Sequence, residues 1–520
     1  MPGLRWMLLL IAAGLATSPA LALDKSVKAI GARPADLKEV GITGIDGTGV
    51  KIGQLEGGNP RVTHKALVPK VLVFNGAITG DFENDHATRV AGVMVSHGGA
   101  GADKDKKGVA PGANVYSFAT TSSTGAGKGA DPRIHHKAQM IEGADALIDK
   151  LGVQIINFSA GQRAPEKIGA DGTNQITLAV DYYAFAKNII WTQAVANDGR
   201  FGAKSLGLPE DCYNCIAVGA TGPTPNFHTV ALFSSEGRTA DLRNKPDIVA
   251  PGTNLSMPTT LSNGFGPPDS GASFAAPHVA GVAAQLLQFA AREPKNLDRA
   301  DHRVIKAVLL NSASKDRALG DNKPGEIRVF RKDGTTRWSP KLPGIDPLDD
   351  QMGAGEVNAR AAFVQFNRPE ATTTLSKPGT NNNFEIGPIA WDFNQVSVGN
   401  YNQYDIKPDL EGGTKLTATL IWDRHVDRNK CTALGCVPFK HDTFTAFDLS
   451  NLDLDLYKDD VLLHAFDGDD DDPLKRASFS HSPFDSVEHI YFTLPEDGSY
   501  SVRVSNRSGQ KEEYGFAVWS

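Results

Sequence analysis

The sequence predicts an α/β fold, a doubly wound and mainly parallel sheet, followed by an all-β antiparallel sandwich. Three observations carry this expectation. Short apolar runs alternate with helical patterns over the first two thirds of the chain, as in a parallel sheet covered on both faces. The stretch Ala275, Ala276, Val279, Ala280, Val282, Ala283, Ala284, Leu286, Leu287 is apolar on every side, which places its helix inside a large domain. After about Ala371 several runs alternate apolar with polar residues, the grammar of an antiparallel sheet with one covered face.

At 520 residues the chain exceeds what one hydrophobic core serves, so two or more domains are expected. A hydrophobic content of 40% and a charged content of 22% are those of a folded soluble protein. The net charge of -7 argues against a nucleic-acid partner. Domains are expected at 1–22 (signal peptide), 23–46 (lead-in), 47–370 (α/β domain, with a surface insertion at 315–350) and 371–520 (sandwich).

Arg5, the apolar run Trp6 to Ala13 and the Ala20-Leu21-Ala22 ending form a signal peptide with cutting after about Ala22. No segment is long enough to span a bilayer. The expectation is a secreted or periplasmic protein.

Export sets how the four cysteines are read. In an oxidising compartment the simplest of the three pairings is two local disulfides, Cys212–Cys215 and Cys431–Cys436. A redox-active Cys-x-x-Cys requires a helix N-terminus after it, whereas Ile216-Ala217-Val218 reads as a strand.

In chain order, Leu23 to Asp46 is a polar-to-mixed lead-in, and Val50 to Leu55 is the first strand, ending at Glu56. Asp85 to Val93 suggests a buried helix. Strands follow at Asn114 to Phe118, Val153 to Phe158, Ile189 to Thr192 and Cys215 to Val218, with helices at Ile134 to Lys150 and Ile176 to Ala186. Ligands of such sheets bind beyond the carboxyl ends of the strands, where Glu56, Asn157 and Ser159 fall. Ser273 sits at the start of the apolar helix, with Pro277 expected in its first turn. On local evidence alone Ser273 is an N-cap. Gly353 to Phe363 reads as a last helix of this domain. In the sandwich, Thr414 to Trp422, Leu452 to Tyr457 and Tyr500 to Val504 alternate. The acidic run Asp467 to Asp472 is a solvated loop or, as the sharper alternative, a structural calcium site.

Six segments together carry a resemblance. Gly49 to Glu56, His86 to Gly92, Asn157 to Gly161, Ala194 to Gly199, Lys245 to Gly252 and Gly271-Ala272-Ser273 resemble the ordered motifs of the subtilisin-like serine peptidases. The likeness runs from about Gly47 to Phe363, in the order acid, histidine, serine. It implies Ser273 as nucleophile, His86 as its base and Glu56 as the acid that orients the base. It further implies Asn197 as oxyanion-hole donor and Ser159-Ala160-Gly161 as the edge that receives an extended substrate. Protein or peptide substrates follow, with no cofactor required for the chemistry.

Two departures stand out. The family's acid is aspartate where this chain has Glu56, and its histidine motif has glycine and a second histidine where Ala87 and Arg89 stand. Asp85 is the fallback acid, and His64 the competing histidine, read as a surface residue. Residues 23–46 leave no room for the usual folding-assisting propeptide, so no large N-terminal cleavage is expected. The sandwich resembles, more loosely, modules appended to secreted members of the family, and stabilisation is its expected role. The expected function is an exported serine endopeptidase. The competing class is a catalytically inactive binding protein of the same fold, and an esterase is a third reading. No pattern in the sequence specifies an oligomeric state.

Overall fold

The computed structural model describes residues 21–520 except 75–82, 122–136, 163–168, 203–204, 223–227, 316–327, 336–337, 378–379, 382–383, 434 and 468–475. The first sheet contains β1 (Lys51–Glu56), β2 (Val71–Val73), β3 (Asn114–Ala119), β4 (Ile155–Phe158), β5 (Ile190–Ala194), β6 (Ile216–Gly222), β7 (Thr229–Val230) and β8 (Ile248–Pro251). Their order is β8-β6-β5-β4-β1-β3-β2, all parallel, with β7 antiparallel on β6. The strand order reverses beside β1, between β3 on one side and β4 on the other. Such a switch point opens a crevice at the carboxyl ends of the strands.

The helices are α1 (Leu23–Ala29), α2 (Pro34–Glu39), α3 (Asp85–Val95), α4 (Lys137–Asp145), α5 (Gln175–Lys187), α6 (Ala272–Ala290), α7 (His302–Asn311) and α8 (Ala359–Phe366). α6 is the apolar helix anticipated above, buried along nearly its whole length against β4, β5, β6 and β8. The signal-peptide assignment falls almost wholly outside the described residues. Leu21 and Ala22 pair in parallel with Leu255 and Ser256.

Three local expectations are corrected. Pro277 is the sixth residue of α6, not in its first turn. It therefore leaves the carbonyl of Ser273 without an intrahelical N–H. The segment 315–350 is no surface insertion where it is described, because Val329, Trp338, Leu348 and Asp349 are buried. Trp338 donates to the Gly353 carbonyl at 2.7 Å and packs edge-on to Tyr491. The last helix begins only at Ala359, capped by Asn358, whose side chain accepts from Ala361 N–H. The acidic run Gly468 to Asp472 lies outside the described residues.

The lead-in is built into the core rather than laid over it. Leu23, Val27, Ile30, Leu37, Ile42 and Ile45 are buried. Gln285 of α6 donates to the carbonyls of Ala32 and Val109, and Ser26 Oγ lies 2.8 Å from His278 Nε2.

The second half is an antiparallel sandwich. One sheet holds β9 (Ile389–Val396), β11 (Lys415–Trp422), β13 (Val487–Thr493) and β15 (Glu512–Trp519) in the order β9-β15-β11-β13. The other is centred on β10 (Tyr401–Leu410), β12 (Asn451–Lys458) and β14 (Gly498–Ser508) in the order β10-β14-β12. Alternation explains the packing. Leu416, Ala418, Leu420 and Trp422 of β11 meet Leu452, Leu454, Leu456, Val502 and Val504 in the inner core.

The opposite face of β11 and β15 is covered by α7. Asn311 Oδ1 accepts from Thr417 and Thr419 at 3.1 and 3.0 Å. A Cβ at Gly515 would stand 2.5 Å from the Arg303 carbonyl, so only glycine permits the helix to approach this closely. His302 Nε2 lies 3.0 Å from Asp423, and Gln365 donates to the carbonyls of Ala390 and Val518. Trp391, Ile421, Val487 and Ala517 belong to the same buried cluster as α6.

The two halves therefore share a core. Deleting residues 371–520 should yield an aggregating chain instead of a shorter active one, because it uncovers the apolar face of α7 and strips its hydrogen-bond partners. Soluble expression and thermal melting check this. A soluble truncation melting within a few degrees of the full chain would refute it.

Candidate active site

Glu56 ends β1 and is buried. Its backbone carbonyl accepts from Thr120 N–H at 2.7 Å and from Thr120 Oγ at 3.0 Å, which fixes the strand end against β3. Its Oε2 lies 3.1 Å from His86 Nδ1. His86 is the second residue of α3, whose start is capped by Asn84. Gln54, on the same face of β1 as Glu56, donates to the Ala87 carbonyl at 3.0 Å and holds this helix start in place. Sequence reading missed Gln54, although its two-residue spacing from Glu56 is the available signal.

Burial pulls the His86 imidazole down, but the charge and hydrogen bond of Glu56 outweigh it and raise it above the usual histidine value. Glutamate in the acid's place thus reaches the ring.

Asp85, the fallback acid, is engaged elsewhere. Its Oδ1 accepts from Thr259 Oγ at 2.6 Å and Thr260 N–H at 2.7 Å, and its Oδ2 from Arg89 Nε at 2.6 Å. Burial pushes its carboxyl up, yet these bonds hold it at about 2. Arg89, where the family has histidine, is buried and also donates to the Pro267 carbonyl at 3.0 Å. The pair ties α3 to the segment 259–267. His64 is fully buried, not on the surface, with Ala66 N–H donating to its Nδ1 and its Nε2 facing the Gly264 carbonyl.

Ser273 is the second residue of α6, and Gly271 occupies the N-cap position. Its Oγ donates to the Ser159 carbonyl at 3.1 Å, and Ser159 Oγ donates to the Ser273 carbonyl at 2.8 Å. The second bond satisfies the acceptor that Pro277 leaves open. Ser159 Oγ in turn accepts from Asn157 Nδ2 at 2.9 Å, and Asn157 Oδ1 from Thr192. The start of α6 is thereby locked to the end of β4 and, through Thr192, to the middle of β5. Among the described residues the Ser273 hydroxyl makes no hydrogen bond to His86. Catalytic hydrogen bonds often form only once substrate is bound.

Asn197 follows β5 and is exposed. Its Oδ1 accepts from Ala272 N–H at 2.8 Å. This contact assigns the amide and leaves Nδ2 as a donor beside the N-terminus of α6. Ala160 accepts from Gln193 Nε2 at 2.8 Å, and beyond Gly161 the residue Gln162 bridges to Leu208 in antiparallel fashion.

Cys212 is bonded to Cys215 and Cys431 to Cys436, with Cα separations of 5.7 and 5.8 Å. Among the described residues one group of candidate metal ligands converges, Cys431, Cys436 and His441. Its two sulfurs are bonded to each other, so no thiolate is left to coordinate.

Comparison with known proteins decides the family. Residues 68–355, more than half of the chain, match the family model Peptidase_S8, described as the subtilase family. The chain belongs to the subtilases. Subtilisin E of Bacillus subtilis (strain 168) is 29% identical over 247 residues, covering 47% of this subtilase and 57% of that protein. Alkaline elastase YaB of Bacillus sp. (strain YaB) is 31% identical over 245 residues, covering 47% and 56%. Serine protease AprX of Bacillus subtilis (strain 168) is 27% identical over 368 residues, covering 65% and 72%. This subtilase thus aligns with little more than half the length of the first two. Among solved structures, prenylagaramide maturation protease PagA is 20% identical, with a TM-score of 0.47, over 64% of this chain and 99% of its own.

Proposed function

We propose that this subtilase is an exported serine endopeptidase that works through a seryl acyl-enzyme. The observation that carries the reading is the Glu56–His86 pair at the end of β1, with the His86 ring centroid 5.5 Å from that of Phe274, the residue after Ser273 in a buried helix. His86, with its Nδ1–H directed at Glu56, takes the Ser273 proton on Nε2 as Oγ attacks the scissile carbonyl. The oxyanion is received by Asn197 Nδ2 and the Ser273 N–H, aided by the positive end of α6. His86 then returns the proton to the leaving amine, and the acyl-enzyme forms. Water, deprotonated by the same histidine, attacks the acyl carbon and releases Ser273. Substrate adds along Ser159-Ala160-Gly161 as an extended strand.

No cofactor is required for these steps. Export rests on the N-terminal segment to Ala22, and no described helix is long and apolar enough to cross a membrane.

One observation favours a second reading, a non-catalytic binding protein: the Ser273 hydroxyl faces the Ser159 carbonyl. A fluorophosphonate probe separates the two, because it labels only a serine activated by its base. Labelling at Ser273, with turnover of a peptide, is expected. An unlabelled, folded protein would leave the binding reading. For Asn197→Ala, kcat should fall by roughly 10²–10³ with KM little changed, the scale of losing this donor in subtilisin. Steady-state kinetics check it, and an unchanged kcat would move the oxyanion hole elsewhere.

A further inference from the structure

Glu210 is a buried acid that the steps above leave without a role. It is 2% exposed. Two backbone N–H groups hold its carboxylate: Gly207 donates to Oε2 at 2.7 Å, and Ala196 donates as well. Among the described residues no lysine or arginine forms an ion pair with it. The acidic groups whose charge reaches it are Asp211 and Asp198. Burial, against the pull of the two N–H donors, pushes its carboxyl up to about 8, as expected of a buried acid without a cation. Two N–H donors leave lone pairs on the carboxylate for a further donor.

Its position gives this vacancy a direction. Ala196 immediately precedes Asn197, the oxyanion donor. On the other side a Cβ at Gly161 would stand 2.8 Å from Glu210 Oε1, and one at Gly207 3.1 Å. The carboxylate thus occupies a slot left by two glycines and spans from the segment 159–161 to the segment 195–197. In the proposed complex a substrate strand lies along the first segment with its acyl oxygen at Asn197. A side chain projecting between those two segments, from the residue that contributes the carbonyl, would meet the carboxyl group of Glu210.

We propose that Glu210 floors the pocket for the residue on the acyl side of the scissile bond and selects lysine or arginine there. The inference rests on the peptidase reading. Without such a partner Glu210 is protonated below about pH 8. A cationic side chain supplies the partner that stabilises its carboxylate through a charged hydrogen bond, which an apolar side chain leaves unmade.

The test uses the full chain and fluorogenic peptides that differ only at the acyl-side residue, carrying arginine, lysine or leucine. The expected kcat/KM for arginine and lysine exceeds that for leucine by roughly 10- to 100-fold, the range a charged hydrogen bond supplies. In Glu210→Gln this ratio should collapse toward one. A variant that merely loosened the fold would lower turnover of all three alike and keep the ratio, which would overturn the proposal. So would a wild-type preference for leucine, a result that stands even if the variant does not fold. Failure of the peptidase reading looks different, with no fluorophosphonate labelling and no peptide cleaved, and it removes this proposal too.

Discussion

Replacing Ser273 by alanine should lower kcat by about 10⁶, the scale of nucleophile removal in subtilisin itself, while the fold survives. In the proposed mechanism the nucleophile is a single oxygen, and its loss leaves no group able to form the acyl-enzyme. The structural consequence is small because the side chain and backbone of Ser273 do different jobs. Its carbonyl keeps the Ser159 Oγ donor that compensates for Pro277. Only the Oγ–Ser159 carbonyl bond disappears, worth about 1 kcal/mol net. Active-site titration and a thermal melt check both halves. Retained peptidase activity above roughly one part in a thousand would remove Ser273 from the mechanism.

Glu56→Gln should lower kcat by about 10⁴, by analogy with the Asp→Asn change in serine peptidases. The amide keeps the shape of the carboxylate but can donate to Nδ1. That stabilises the tautomer with its proton on Nε2, where the proton of Ser273 must go. Glu56 also raises His86 above the usual histidine value. Catalysis needs the neutral imidazole, so activity is lost as pH falls through this raised pKa. In Glu56→Gln the raising interaction is gone, and the acid limb of kcat/KM should move to lower pH. Glu56→Asp is the sharper comparison. Glu56 Oε2 is 3.1 Å from the ring, and a carboxylate one methylene shorter on a strand end pinned by Thr120 should not reach. Activity should therefore drop although the family's usual residue is restored. An increase would mark Glu56 as a damaged remnant. Asp85→Asn separates a related possibility: it should weaken the hold on Thr259 and Thr260 without moving the acid limb in the way that Glu56→Gln does.

What the sequence alone determined was local or ordered along the chain. The parallel sheet, the apolar helix behind Ser273, the alternating sandwich and the sequence of subtilase motifs are patterns of period and spacing, and these are written in neighbouring residues. The tertiary structure decided who faces whom. Asp85 lies beside His86 in the chain, yet its Oδ1 is taken by Thr259 and Thr260, more than 170 residues away. Arg89 becomes intelligible only with Asp85 and the Pro267 carbonyl in view. His64, read as a surface residue because no motif surrounds it, is covered because the Phe265 segment folds onto it. The same holds for Pro277, placed one turn too early from sequence, and tolerated because Ser159 supplies the donor its ring removes. The sandwich reads as a separate module by its alternation, but Thr417 and Thr419 face outward toward Asn311 of α7. A strand's pattern reports which faces are covered and not what covers them, and a polar side chain's partner depends on which distant backbone packs against it.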